Sequence, residues 1–291
     1  MRQQRRAYLL ALGFALCAAC AAMGQRPGFE TIDFPGASST QTWGVNSSGD
    51  IVGYYVSAGI THGFLLSGGR FTTFDFPGAS STFPAHVNPR GDIVGAYTTG
   101  GVSHGFLLSE NTFTSINPPG ATAAEANGIN PQGDIVGDFT LAGRRHGFLL
   151  SGGAYTTIDF PGATDLPGVP ALTLAIAINS RGDIVGSYRS AGLSHGFVLS
   201  GGAFSSFDCP GATFTTSTGI SPDGDIVGRC IRNGINEGYL LSGGQFSTIA
   251  VPGAIATGAT DIDPQGDILG RYLSADGAFH GFLLSRQESG K

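Results

Sequence analysis

Four histidines in this chain are each followed thirteen residues later by a carboxylate or an amide: His62 by Asp75, His104 by Asn117, His146 by Asp159 and His195 by Asp208. A carboxylate that orients an imidazole makes a general base, so each of the three His–Asp pairs has the residue types for acid–base catalysis. Repetition argues for something plainer. Catalysis needs one such constellation, whereas a pair that recurs along the chain reads as a cross-strand contact satisfying a half-buried polar position. The even spacing also holds the histidines apart, which disfavours a shared metal. No metal and no cofactor is expected, and no catalytic residue is assigned.

The elements that carry these pairs come from one repeated unit. Gly-Asp-Ile-Val-Gly begins at Gly49, Gly91, Gly133, Gly182 and Gly224 and returns as Gly-Asp-Ile-Leu-Gly at Gly266, in steps of 42 residues with one step of 49. His-Gly-Phe recurs between them, with Glu237-Gly238-Tyr239 standing in once, and Pro-Gly-Ala follows each time. Each unit divides into four short strands. Turns such as Asn88-Pro89-Arg90-Gly91 join the first two, combining an Asx cap, a proline-set φ and a left-handed glycine. A Gly68-Gly69 tip makes a two-residue hairpin between the third and fourth. Counting back from that tip sets His62 against Asp75, and the neighbouring hairpin adds Tyr55, giving an aromatic–His–Asp row per unit. Where His becomes Glu237, the partner position becomes Ala250.

A period near 42 with four antiparallel strands is the composition of one propeller blade, a unit that must stack on neighbours to bury its faces. The expected fold is all-β: a six-bladed β-propeller occupying residues 25–291. Phe29–Phe34 reads as a fourth strand lacking its first three, and His280–Leu284 as a third strand lacking its fourth. The N-terminal strand is therefore expected to close the ring and set Asp33 beside His280.

Arg2, Arg5 and Arg6 precede an apolar run from Ala7 to Ala22, the pattern of a signal peptide over residues 1–24. Its removal leaves 12 basic against 21 acidic residues, a balance of −9. Such a surface offers nothing to a phosphate backbone, so nucleic acid is not an expected partner. No second apolar run is long enough to span a bilayer. A secreted or periplasmic monomer is the expectation.

The leader together with His-Gly-Phe-Leu, Gly128-Ile129-Asn130 and Gly-Asp-Ile-Val-Gly resembles the HAF family of extracellular repeats found in bacteria. That family reads His-Ala-Phe more often than the His-Gly-Phe seen at His62 and His104. The resemblance covers nearly all of the chain after the leader and implies a repeat scaffold outside the cell, with no activity attached.

Function is sought where the repeat is broken. Trp43, the single tryptophan, lies on an innermost strand, and His86 and Asp261 occupy an innermost position that is Gly44, Gly128, Ala177 or Gly219 elsewhere. Arg144 and Arg145 crowd an otherwise neutral hairpin. Seven extra residues fall around Asp165–Ala171, a proline-rich loop at one rim. Trp43 with His86, Arg144, Arg145 and Asp261 makes a candidate site for a sugar or other small polar ligand. The two Arg-Gly-Asp tripeptides at Arg90 and Arg181 sit where other units carry the same turn, and the aspartates at 261, 263 and 267 read as turn residues rather than a calcium loop. Cys209 and Cys230 replace positions that pair Phe34 with Tyr55 and Phe76 with Tyr97 in other units. Both change together, so they are expected to meet between adjacent blades as a disulfide. The expected function is a non-catalytic binding platform for a glycan or a cell-envelope protein. The competing reading is a secreted polysaccharide hydrolase or lyase at the channel mouth.

Overall fold

The computed structural model of the protein describes residues 28–286. The signal peptide expected over residues 1–24 lies outside the described residues. Among the described residues there are 24 strands and no helix, hence no helix long and apolar enough to cross a membrane.

The described residues open with β1 (Phe29–Ile32). Five four-strand groups follow. The first holds β2 (Ser39–Val45), β3 (Ile51–Ser57), β4 (Ile60–Ser67) and β5 (Arg70–Phe74). The second holds β6 (Ser81–Val87), β7 (Ile93–Thr99), β8 (Val102–Ser109) and β9 (Thr112–Ile116). Next come β10 (Ala123–Ile129), β11 (Ile135–Leu141), β12 (Arg144–Ser151) and β13 (Ala154–Ile158). The fourth group is β14 (Thr173–Ile178), β15 (Ile184–Ser190), β16 (Leu193–Ser200) and β17 (Ala203–Phe207). The fifth is β18 (Phe214–Ile220), β19 (Ile226–Arg232), β20 (Ile235–Ser242) and β21 (Gln245–Ile249). Last among the described residues come β22 (Ala256–Ile262), β23 (Ile268–Leu273) and β24 (Phe279–Leu284), and β1 pairs antiparallel with β24 as their fourth strand.

Hydrogen bonding within each group is antiparallel. Single parallel bridges, Thr61 to Ser81 and Ser194 to Phe214, join two pairs of groups, so the strands form two four-stranded and two eight-stranded sheets. The first strands touch in a closed cycle: β2 meets β6, β6 meets β10, and so on through β14, β18 and β22 back to β2.

The recurring blocks follow from packing inside each group. Gly53, which closes Gly-Asp-Ile-Val-Gly, pairs across the ladder with Phe64 of His-Gly-Phe. A Cβ on Gly53 would sit 2.1 Å from the Gln41 carbonyl oxygen and 2.9 Å from the Phe64 ring, so only glycine leaves room for that ring. Phe64 is fully buried there, worth roughly 1.5–3 kcal/mol relative to exposure. The apolar core is divided among the faces between neighbouring groups. Val94 and Ile116 of one group pack with Ala124, Ile129, Ile135 and Phe148 of the next, and Ile32 and Leu269 pack likewise with Val45, Ile51 and Phe64 across the closing face. Each group thus depends on its neighbours for burial.

Candidate functional site

Each innermost strand carries a β-bulge at the same place. The register with the second strand shifts between Thr42 and Gly44, Pro84 and His86, Ala126 and Gly128, Ala175 and Ala177, Ser217 and Gly219, and Ala259 and Asp261. The extra residues are Trp43, Ala85, Asn127, Ile176, Thr218 and Thr260. A bulge leaves one residue outside the ladder and re-aims its side chain. Five of the six line a cavity of about 430 Å³. The residue after Gly-Asp-Ile-Val-Gly contributes a second tier: Asp138, Ser187, Arg229 and Arg271 line the same cavity.

One wall is acidic with an internal counter-ion. Arg145 Nε donates to Asp138 Oδ2 at 2.9 Å, and its Nη2 lies 3.5 Å from Glu125 Oε2. Asn127 Nδ2 donates to Asp138 Oδ1 at 3.0 Å. Burial raises the pKa of Asp138, against the opposing Arg145 charge and the Asn127 hydrogen bond. Burial first and the Asp138 charge second raise that of Glu125. The facing wall is cationic. The Arg271 guanidinium carbon lies 4.3 Å from the Trp43 ring centroid, a cation–π contact, and Nη1 donates to Gln41 Oε1. Arg229 lies over Phe214 at 4.8 Å and donates to Asn236 Oδ1 at 3.2 Å.

His86 and Asp261 sit one residue further along their strands and meet across the channel, Nε2 to Oδ2 at 3.0 Å. Val45 N–H and Ile262 N–H both donate to Asp261, each at 2.9 Å. Gly44 and Gly219 lie at the same level. A Cβ on Gly44 would come 2.6 Å from the His86 Cα, and one on Gly219 would come 2.7 Å from the Asp261 Cα. Small residues therefore let the strands converge while the His86–Asp261 pair fills the axis. Beyond it lies a second cavity of about 250 Å³, lined by aliphatic side chains such as Val45, Ile129 and Ile220.

The five residues proposed from sequence therefore divide. Trp43 and Arg145 share the larger cavity, and His86 and Asp261 form the pair below it. Arg144 stands apart, 3.3 Å from Asp165 of the inserted loop with both side chains largely exposed. The end of that insertion reaches the cavity through Leu172, and Arg189 Nη1 donates to the Pro170 carbonyl at 3.3 Å. Sequence reasoning missed Glu125, Asp138, Arg189, Arg229 and Arg271. A signal existed for three of them, because the residue after Gly-Asp-Ile-Val-Gly varies freely among Tyr54, Ala96, Asp138, Ser187, Arg229 and Arg271.

The histidine rows lie on the outer strands. His62 Nδ1 is 2.8 Å from Asp75, His104 is 3.2 Å from Asn117, and His146 and His195 are each 2.9 Å from Asp159 and Asp208. His280 is 2.9 Å from Asp33. Tyr55 stacks on His62 with centroids 5.3 Å apart. In the odd unit Arg232 donates to Glu237 at 2.9 Å, filling the role its Ala250 neighbour cannot. The Arg-Gly-Asp turns fold on themselves, with Arg90 Nε donating to Asp92 at 3.0 Å and Arg181 Nε to Asp183 at 3.2 Å.

The disulfide expected between Cys209 and Cys230 is not formed: both are free and buried. Other units fill this place with stacked rings, Phe34 on Tyr55 at 3.6 Å and Phe76 on Tyr97 at 3.5 Å. The two sulfurs occupy it as a thiol pair. The interaction between the two thiols raises the pKa of Cys209 and lowers that of Cys230.

No family model matches the chain, and no curated protein matches it. Solved structures do resemble it. TolB-like protein from Agrobacterium tumefaciens superposes with a TM-score of 0.56 at 12% identity, covering 90% of this chain and 91% of that one. Virginiamycin B lyase from Staphylococcus aureus gives 0.50 at 12%, covering 88% of each chain. The β-propeller domain of the Trilobed protease from Pyrococcus furiosus, which has an open velcro topology, gives 0.52 at 10%, covering 86% of this chain and 97% of that one. At these identities the likeness establishes a β-propeller scaffold and nothing about activity.

Proposed function

We propose that the chain is an exported, monomeric, six-bladed propeller whose last blade is completed by β1, and that it binds a glycan or a cell-envelope partner without catalysis. The six-blade reading is supported by the closed cycle of inner strands and by the antiparallel pairing of β1 with β24. Its place among HAF repeats rests on the recurring His-Gly-Phe-Leu and Gly-Asp-Ile-Val-Gly blocks. Export to the periplasm or medium rests on the leader over residues 1–24.

One observation carries the binding reading. The bulges bring Trp43, Asn127, Thr218 and Thr260, and the second strands bring Asp138, Arg229 and Arg271, to one concave cavity of about 430 Å³, the size and chemistry of a small polar-ligand site. Four histidine–carboxylate pairs with the makings of a general base lie on the outer strands instead, and the fifth, His86–Asp261, is buried at the axis below the cavity.

A second reading, a polysaccharide hydrolase or lyase at this mouth, is favoured by Glu125, whose carboxyl is held above its ordinary pKa by burial and then by the Asp138 charge. The purified mature protein on a glycan array, run beside a polysaccharide hydrolysis screen, separates the two. Binding that Trp43→Ala abolishes, with no turnover, is the expected result. Turnover abolished by Glu125→Gln replaces the platform with an enzyme.

A further inference from the structure

Two arginines of the larger cavity, Arg229 and Arg271, lack counter-ions. Among the described residues, neither Arg229 nor Arg271 makes an ion pair. Both are half-buried, and a guanidinium keeps its charge. Burial lowers the pKa of each, and the Arg229 charge adds to that effect on Arg271 while the Tyr54 hydroxyl opposes it. A partly desolvated charge without a counter-ion is costly even when amides and aromatic rings contact it, and two facing one cavity cost more. Such breaches of local consistency are expected where a ligand supplies what the fold omits.

The ligand's chemistry can be narrowed. Planar guanidinium groups favour a carboxylate, which they hold through paired N–H donors. The opposite wall carries Glu125 and Asp138 with Arg145 between them, which suits hydrogen-bond donors rather than a second anion. Thr260 is 3% exposed and its Oγ1 has no hydrogen-bond partner, nor has Trp43 Nε1. The indole, with Arg271 over its ring, lines the cavity and adds apolar surface for the body of the ligand. After the leader is lost, the chain carries a balance of −9, so long polyanions are repelled while a single acidic group is drawn into the cationic wall.

We propose that this cavity binds a sugar-acid unit of a glycan, its carboxylate held between Arg229 and Arg271 and its hydroxyls turned toward Glu125 and Thr260. The assignment rests on the binding reading above and names its ligand class.

The test is calorimetric titration of the mature protein at low ionic strength with digalacturonate, its methyl ester and galactose 6-sulfate. Digalacturonate is expected to bind, with the ester about tenfold weaker or worse, as for loss of a charge-assisted hydrogen bond. Arg229→Gln and Arg271→Gln should each weaken digalacturonate by a similar factor, while Arg229→Lys retains part of the affinity. Should a glutamine variant fail to fold, affinity of the wild type that falls as salt is added still supports the assignment, and salt-independent affinity overturns it. Ester binding as tight as acid, tighter binding of the sulfate, or folded glutamine variants with unchanged affinity would also overturn it. A neutral glycan that binds through Trp43 when digalacturonate does not would sink the sugar-acid assignment alone. A blank glycan array would bring down the binding reading with it.

Discussion

His280 Nδ1 lies 2.9 Å from the Asp33 carboxylate although 247 positions separate them in the chain. The contact marks where the N-terminal strand docks, yet it is not what holds that strand. The Asp33 side chain is about half exposed, and an exposed pair contributes roughly 0–1 kcal/mol. The ladder from Phe29–Leu284 to Ile32–Gly281 and the burial of Ile32 against Val45 and Phe64 do the holding. Asp33→Asn should therefore leave the melting temperature nearly unchanged. Deleting residues 28–34 should abolish cooperative unfolding or cause aggregation, read by calorimetry and light scattering. A deletion variant that melts as a full-stability monomer would disprove closure by β1.

The His86–Asp261 pair should make stability depend on pH in a definite direction. Burial works against the imidazolium, but the charge and hydrogen bond of Asp261 outweigh it and raise the His86 pKa above the ordinary 6.5. A raised pKa means that the folded state holds the proton more tightly. The resulting stability is complete below 6.5 and is lost as pH rises through the folded value. Asp261→Asn should cost about 3 kcal/mol in acid solution, as for a broken buried pair. Denaturant melts should show the gap between the two proteins narrowing as pH rises above the ordinary imidazole value. A gap that widens with pH would contradict the pairing.

Glycine positions differ sharply in what they tolerate. Gly137→Ala would place a Cβ 2.0 Å from the Glu125 carbonyl oxygen, a backbone atom that cannot step aside. A loss of about 3 kcal/mol or more, or failure to fold, is expected. A Cβ at Gly258 meets only the Arg229 side chain, at 3.7 Å. Gly258→Ala should shift stability by no more than about 0.5 kcal/mol. Urea unfolding of both variants makes the comparison.

Cys209 and Cys230 are 2% and 0% exposed. In the protein without residues 1–24, thiol reagents should leave both untouched in the native state and titrate two groups after denaturation without reductant. A count of zero in the denatured chain would show a bridge where the structure has two thiols.

Much of the scaffold was legible because hairpins obey a strict count. Two glycines at the Gly68-Gly69 tip and a period of two fix which residues face one another, so the Ser67–Arg70 register follows from sequence alone. The shared position of Cys209 and Cys230 followed from the spacing of aromatic pairs, whereas their oxidation state depends on sulfur geometry that spacing does not encode. The cavity was mostly illegible. A bulge breaks the two-residue period, so Thr218 and Thr260 turn into the channel without any alternation to reveal it. Arg229 and Arg271 stand about one repeat apart in the chain, and only the curvature of the whole assembly aims both at one space.

The bulge also has a consequence for how such a molecule changes over time. Trp43, Ala85, Asn127, Ile176, Thr218 and Thr260 stand outside the ladders, while the ladders and the faces between groups carry cohesion. Exchange of one such side chain leaves Phe64, Phe106 and their counterparts packed as before. Copying one unit six times would first yield an even ring of equal side chains. Later drift at those six sites, and at the position after each Gly-Asp-Ile-Val-Gly, can then write a lopsided recognition surface onto a symmetric frame, one letter per repeat, without renegotiating the fold.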